Sequence, residues 1–184
     1  MRARVRFLDQ RCPATSPVNE EYASVERVLF KRSAALTLRR QLQPTGRWIG
    51  GLLFGHPQGG ALHVKHLSTL GCPAWYSAAE REVLSPDVRY VLGWSDALEA
   101  VYGGRIDWVG HWVAAPNSLL PDVREDFAWL DRSLKIGLLD TQHVLVLTGW
   151  NRDGELMGRA YRLDTDTYAR VDCSVLDLPR PHPE

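Results

Sequence analysis

The chain lacks an excess of charge of either sign, because 22 lysine and arginine residues balance 22 aspartate and glutamate residues. This balance removes the main electrostatic attraction to nucleic acid and to anionic membrane surfaces. The sequence also lacks an apolar run approaching the length of about 20 residues that a membrane-spanning helix needs. It therefore predicts neither a nucleic-acid partner nor a membrane partner.

Cysteine is scarce as well. The three cysteines, Cys12, Cys72 and Cys173, are odd in number and far apart, so they form neither a disulfide framework nor a paired zinc-binding motif. The N-terminal residues MRARVRFLDQ are charged and contain no apolar segment typical of a secretory signal. We therefore expect a reduced, cytoplasmic protein.

Apolar residues are present in the proportion expected for a globular domain. The chain has 184 residues, of which 45% are hydrophobic, and a chain of this size can bury a substantial core. We divide it into an N-terminal strand and loop extension at 1–24, a main domain at 25–176 and a mobile tail at 177–184.

Apolar periodicity and turn residues predict the order of the elements. Arginine alternates with apolar residues in 1–8, which favours a strand, and 25–30 favours another. The later predicted elements are a helix capped by Ser33, strands 48–54 and 61–67, a helix starting at Ser85-Pro86-Asp87, strand 106–113, helix 121–135 with Phe127, Leu130 and Leu134 inward, and strands 142–150, 155–163 and 168–175. This order predicts an α+β fold with a mixed, mostly antiparallel sheet flanked by helices.

The stretch 106–130 carries the most specific pattern. An apolar run ends at a small-residue loop, 114–116, and a Pro-Asp pair then begins an amphipathic helix. Together with the glycine-rich strand 50–55, this pattern resembles the bacterial type of JAMM/MPN (Mov34/PAD-like) metallopeptidase, whose motif reads Gly-x-Trp-His-x-His-Pro, a short loop and Pro-Ser-x-x-Asp. Four residues match that motif: Gly110, Trp112, Pro116 and Pro121.

The resemblance implies an MPN-like α+β fold over residues 25–165 and a degenerate zinc site. In that family two histidines and an aspartate bind zinc, and a glutamate before the glycine-rich strand is the general base. Here Val113 and Ala115 occupy the histidine positions, and Arg47 or Trp48 occupies the base position. None of these side chains can bind zinc or take a proton from water. The resemblance therefore implies a pseudoenzyme with no zinc at the family position.

The helix carboxylate of the motif has two possible registers. Spacing from the second histidine position assigns it to Asp126, whereas spacing from Pro121 assigns it to Glu125 and puts Asp122 in place of the serine. Both registers remain open. Acidic residues in the first turns of a helix are also favoured by the positive end of the helix dipole, so a structural role is the alternative.

His111 is the remaining candidate for a displaced metal site. It lies two residues before Val113, so both side chains share one face of a strand, and it could meet Asp126 or Glu125 there. One imidazole and one carboxylate make a weak zinc site. We favour the alternative that His111 is hydrogen-bonded within a half-buried strand.

Three functions remain as hypotheses. We prefer a non-catalytic protein-interaction or scaffold domain without a cofactor, whose partner is a protein, either a second copy or another MPN-type domain. The second hypothesis is a metal-dependent peptidase or isopeptidase with a displaced zinc site. The third is a small-molecule binding domain that uses the same groove. Trp108, Trp112 and Trp129 would suit an apolar binding surface; core packing is the alternative, and we favour it for Trp112.

Overall fold

The computed structural model describes residues 2–8, 25–43, 46–71, 83–164 and 167–175. Its elements, in chain order, are α1 (Arg2–Phe7), β1 (Arg27–Phe30), α2 (Arg32–Gln41), β2 (Ile49–Gln58), β3 (Ala61–Leu67), α3 (Val88–Tyr102), β4 (Asp107–Leu119), α4 (Val123–Lys135), β5 (Val144–Trp150), β6 (Leu156–Asp164) and β7 (Thr167–Ser174). None of these helices is both long enough and apolar enough to cross a membrane. The predicted domain boundaries at residues 24 and 176 lie outside the described residues.

The seven strands form a closed barrel in the order β1-β3-β2-β4-β5-β6-β7. The first strand closes the ring, because Leu29 lies in register with His63 on β3 and with Ser174 on β7. Both of these pairings are parallel, as is the pairing of β4 with β5. The other four pairings are antiparallel.

The predicted MPN-like α+β sheet flanked by helices is therefore wrong. The sheet curls into a mixed barrel, and β1 and β7 pair with each other instead of forming two open edges. Closure depends on a pairing between strands at opposite ends of the described chain, for which the sequence has no local signal. The predicted order of elements after residue 25 agrees with the structure.

The predicted strand at residues 1–8 is also wrong, because these residues contribute the short helix α1. Ala3 and Phe7 are four residues apart, which places both on one face of a helix, and both are buried. The ring of Phe7 packs against Trp108 with 5.1 Å between ring centroids. Six residues are too few to distinguish a period of two from a helical period.

Two apolar cores lie on the two faces of the barrel wall. The inner core joins barrel residues such as Leu53 and Val146 to Leu38 of α2. The outer core joins Leu52 and Phe54 to the helices α1, α3 and α4. Leu52 and Phe54 therefore face one side of β2 and Leu53 faces the other, as the pleat of a strand requires.

The helix α4 lies on the outer face with an unexpected orientation. Its buried residues are Asp126, Trp129, Leu130 and Ser133. Of the three residues predicted to face inward, Leu130 does so, but Phe127 is 62% exposed and Leu134 is 40% exposed. The prediction failed because the apolar periodicity took no account of the polar residues Asp126 and Ser133, which have buried partners.

Candidate functional site

An open groove of about 840 Å³ lies beside the end of β4, the start of α4 and the turn between β5 and β6. The strand β4 continues through the predicted loop 114–116, and its register with β5 shifts between Ala114 and Leu119. The apolar lining consists of Trp48, Ala115, Pro116, Leu119, Leu120, Pro121, Val123 and Trp150. The polar lining consists of Asn117, Asp122, Glu125, Asn151, Arg152 and Arg159.

Six of the residues singled out from the sequence line this groove: Trp48, Ala115, Pro116, Pro121, Asp122 and Glu125. Asp122 is the N-cap of α4, and its carboxylate accepts a hydrogen bond from the Arg124 backbone N–H at 2.9 Å. Val113 packs in the outer core instead. The groove therefore contains some of the predicted site residues, but it does not contain Val113, His111 or Asp126.

Asp126 is held in a buried ion pair behind the groove. Its Oδ2 accepts a hydrogen bond from Arg159 Nε at 2.7 Å, and its Oδ1 accepts one from Arg159 Nη2 at 2.6 Å. The Tyr161 hydroxyl donates to the same carboxylate at 2.6 Å, and burial together with this bond raises the pKa of Tyr161. Arg159 Nη2 also donates to the Pro121 carbonyl at 2.7 Å. The Asp126 carboxylate thus joins α4 to β6, and Arg159 also holds Pro121, just before the helix.

Sequence reasoning missed Arg159 and Tyr161 as partners of Asp126. The two residues are 33 and 35 positions away from it, on β6. A usable signal was present, because two hydrogen-bonding side chains two positions apart share one face of a strand. On a strand with buried residues on both sides, such a pair predicts a buried polar contact.

His111 lies deep in the protein and has a different partner. Its Nε2 is 2.8 Å from the Ser133 hydroxyl of α4, and burial, with a smaller effect of nearby His143, lowers the pKa of His111 to about 3. His143 is also buried, is bonded through Nδ1 to Asp140 at 2.8 Å and stacks on Trp108. His111 and Asp126 therefore serve two separate hydrogen-bond networks, and His111 is neutral at physiological pH.

A protein metal site needs several ligand side chains close together. Within the described ranges, no three histidine, cysteine, aspartate or glutamate side chains are grouped so that they could hold a metal ion. The arginine and tyrosine that bond Asp126 occupy its oxygens. The expectation of no stoichiometric zinc at the position of Val113 and Ala115 remains a prediction for metal analysis.

We predict that stability falls as the pH falls below about 6.5. The unfolded chain binds a proton on His111 near its ordinary pKa of 6.5, whereas the folded chain resists protonation down to about 3. The free energy of unfolding should therefore decrease by about 1.4 kcal/mol per pH unit for this one group across that window. Urea denaturation at several pH values, with His111→Asn as the comparison, measures the effect. An unchanged pH slope in His111→Asn would contradict it.

Comparison with known proteins adds evidence on the fold. No protein-family model matches the chain, and no curated protein matches it. The fold is similar to that of a Desulfitobacterium hafniense protein whose solution structure was determined as a structural-genomics target. The TM-score is 0.53 at 11% identity, and the match covers 83% of this chain and 94% of that chain. A likeness at this identity shows the fold alone.

The resemblance to JAMM/MPN metallopeptidases is therefore wrong. The described strands close into a barrel, whereas the resemblance implied an α+β sheet. Two of the four matching residues have local structural reasons. Gly110 has a φ of 153°, and a Cβ there would overlap Val144 backbone atoms. The Trp112 indole N–H donates to the buried Ser68 carbonyl at 3.0 Å.

Proposed function

We propose that this barrel is a non-catalytic protein-interaction domain that binds through an apolar stripe on α4. The α4 stripe consists of Val123, Phe127 and Leu134, which are between 40% and 62% exposed. Their spacing of four and seven residues places them on one helix face. Leu119 is also exposed and lines the groove together with Val123, so the stripe continues into the groove. Contiguous exposed apolar surface is typical of interaction sites.

The ionisable groups near the groove favour binding over catalysis. Asp126 is bonded to Arg159 and Tyr161, and His111 is buried and neutral. Asp122 is used as a helix cap, and Glu125 is exposed at the rim. Catalysis by a carboxylate or imidazole needs that group within hydrogen-bond reach of a bound substrate. The hydrogen bonds that already engage Asp126, His111 and Asp122 support the non-catalytic proposal.

The first partner to test is a second copy of the chain. Arg124 and Asp131 are seven residues apart on α4, one before and one after Phe127, and both lie on the same side of it around the helix axis. In an antiparallel two-fold pair of α4 helices, Arg124 of one protomer would face Asp131 of its partner, and the contact would occur twice. The Tyr168 hydroxyl donates to Asp131 Oδ1 at 2.9 Å, which helps to fix that carboxylate. The charged residues Arg124 and Asp131 beside the α4 stripe are therefore complementary to those of a second copy.

Sedimentation velocity over a range of concentrations tests this proposal. We expect a concentration-dependent dimer, and we expect Phe127→Asp to weaken it by about tenfold or more, because a charge would enter the centre of an apolar contact. Val101→Asp is the matched control, because Val101 is 70% exposed but lies on α3. That control should leave the dimer unchanged.

Charge exchange gives an independent readout of the same surface. Arg124→Asp alone should weaken the dimer, and adding Asp131→Arg should restore it, because the two-fold contact is then rebuilt with reversed polarity. A wild-type protein that stays monomeric at high micromolar concentration would contradict self-association through α4.

A reduced, cytoplasmic location is part of the same proposal. Cys173 is a free thiol among the described residues, and burial raises its pKa to about 12. Such a thiol remains protonated at neutral pH and reacts slowly with disulfides. The other two cysteines lie outside the described residues.

A further inference from the structure

A cluster of cationic side chains lies on the outer face of the barrel, where β1, β3 and β2 are adjacent. The cluster, called the basic patch below, consists of Arg27, Lys31, His56, His63 and Lys65. On β1 and β3 the alternating residues Val28, Phe30, Leu62 and Val64 pack in the inner core. The patch residues between them therefore point away from that core.

Lys31 and Lys65 lie side by side in this patch. The Lys31 backbone N–H donates to the Val64 carbonyl at 2.8 Å, which extends the β1–β3 pairing by one step beyond Phe30. Neighbouring strands are about 4.8 Å apart, and like charges in adjacent positions destabilise a sheet. In the described part of the chain, no carboxylate forms an ion pair with either lysine. Lys65 Nζ lies 5.7 Å from the centroid of the Tyr102 ring, which stabilises one of the two charges, but no negative charge neutralises either lysine among these residues.

The two histidines of the patch form a cross-strand pair. His56 and His63 are in register, and their rings stack with centroids 5.5 Å apart. Neither Nδ1 atom has a hydrogen-bond partner within the described residues, although both atoms are buried. Burial lowers the pKa of both imidazoles, and the charges of Lys31 and Lys65 lower it further. Two imidazoles could bind a metal cation, but the adjacent lysines repel one. The surroundings instead favour an anion.

We propose that the basic patch binds a phosphate-type oxyanion between Lys31 and Lys65, beside His63. Ser33 Oγ donates to the Lys65 carbonyl at 2.8 Å, which holds the first turn of α2 beside this lysine pair. That turn has no side-chain cap and no acidic residue, so its backbone N–H groups are available to an anion. The charge arrangement is compact, and the chain has a net charge of zero, which fits a small phosphate compound better than a polyanion.

The basic patch and the α4 stripe are made of different elements, so this inference does not depend on the proposed dimer. Titration with inorganic phosphate, followed by amide NMR at constant ionic strength set with chloride, tests it. We expect saturable shifts at the start of α2 and at Lys65. Lys65→Gln and Lys31→Gln should each weaken binding by about tenfold or more, as for lost hydrogen bonds to a charged group. Lys135→Gln is the matched control on α4 and should bind as wild type does.

The pH dependence of sulfate binding separates a specific site from general screening, because sulfate keeps its charge over the range. The groups around His63 are His56, Lys31, Lys65 and Arg27, with Asp172 in register with Arg27 on β7. Affinity should rise as the pH falls below 6.5, since a protonated imidazole adds a positive charge, and His63→Gln should reduce this rise. Equal shifts with chloride, or equal weakening by Lys135→Gln, would overturn the proposal.

Discussion

Replacing Asp126 by alanine is expected to lower the free energy of unfolding by about 3–5 kcal/mol. The change leaves the guanidinium of Arg159 buried without its counter-charge, and it also removes the acceptor of the Tyr161 hydroxyl. Losing one member of a buried pair costs more than the pair contributes, because the remaining charge stays desolvated. Urea denaturation followed by tryptophan fluorescence measures the difference.

Two comparisons make this result specific. Asp122→Ala removes an exposed carboxylate that caps the same helix, and it should cost about 1 kcal/mol. Removing both charges with Asp126→Leu and Arg159→Met should recover much of the loss, because no unpaired buried charge remains. If Asp126→Ala cost no more than Asp122→Ala, the buried pair would not stabilise the fold as described.

Replacing Gly51 by alanine is expected to prevent folding or to cost more than about 4 kcal/mol. A Cβ at this position would lie 1.8 Å from the Ser68 carbonyl oxygen and 2.7 Å from its carbon. These are backbone atoms, and the same carbonyl accepts a hydrogen bond from Trp112 Nε1 at 3.0 Å, so it cannot shift without breaking that bond. Circular dichroism and thermal melting would report the loss.

Gly93→Ala is the matched control for Gly51→Ala. Gly93 lies within α3, and a Cβ added there would meet nothing within 4 Å. Alanine is favoured over glycine inside a helix by about 0.5–1 kcal/mol, so this variant should be more stable than wild type. A Gly51→Ala protein that melts as wild type does would show that β2 can move away from Ser68.

Local features of the fold could be predicted from the sequence. The helix α3 was predicted from Ser85-Pro86-Asp87 with Ser85 as its cap, and the structure has the cap two residues later, at Asp87. The left-handed Gly103 at the end of α3 and the hairpin of β2 with β3 also rest on residues close together in the chain. Barrel closure could not be predicted in this way. It depends on the parallel pairing of β1 with β7, and a strand's own sequence does not specify a partner at that distance.

The candidate site was predictable to a similar extent. Trp48, Ala115, Asp122 and Glu125 were singled out through the JAMM/MPN resemblance, which is wrong; they line one groove, but the roles predicted for them stay untested. The role of Asp126 was not recognised, because its partner Arg159 comes from a distant strand. That partner also explains Phe127: once a paired carboxylate occupies the buried face of α4, the aromatic side chain is left outside.

The pairing of β1 with β7 has a consequence for synthesis of the protein on the ribosome. Residues 27–30 emerge early, but their partner 172–174 emerges only when nearly the whole described chain has been translated. Until then both β1 and β6 lack β7 as a neighbour, so each has an unpaired edge that can pair with other nascent chains. Slow, non-local closure of this kind limits the folding rate. Deleting β7 should therefore yield aggregated protein rather than a smaller folded domain.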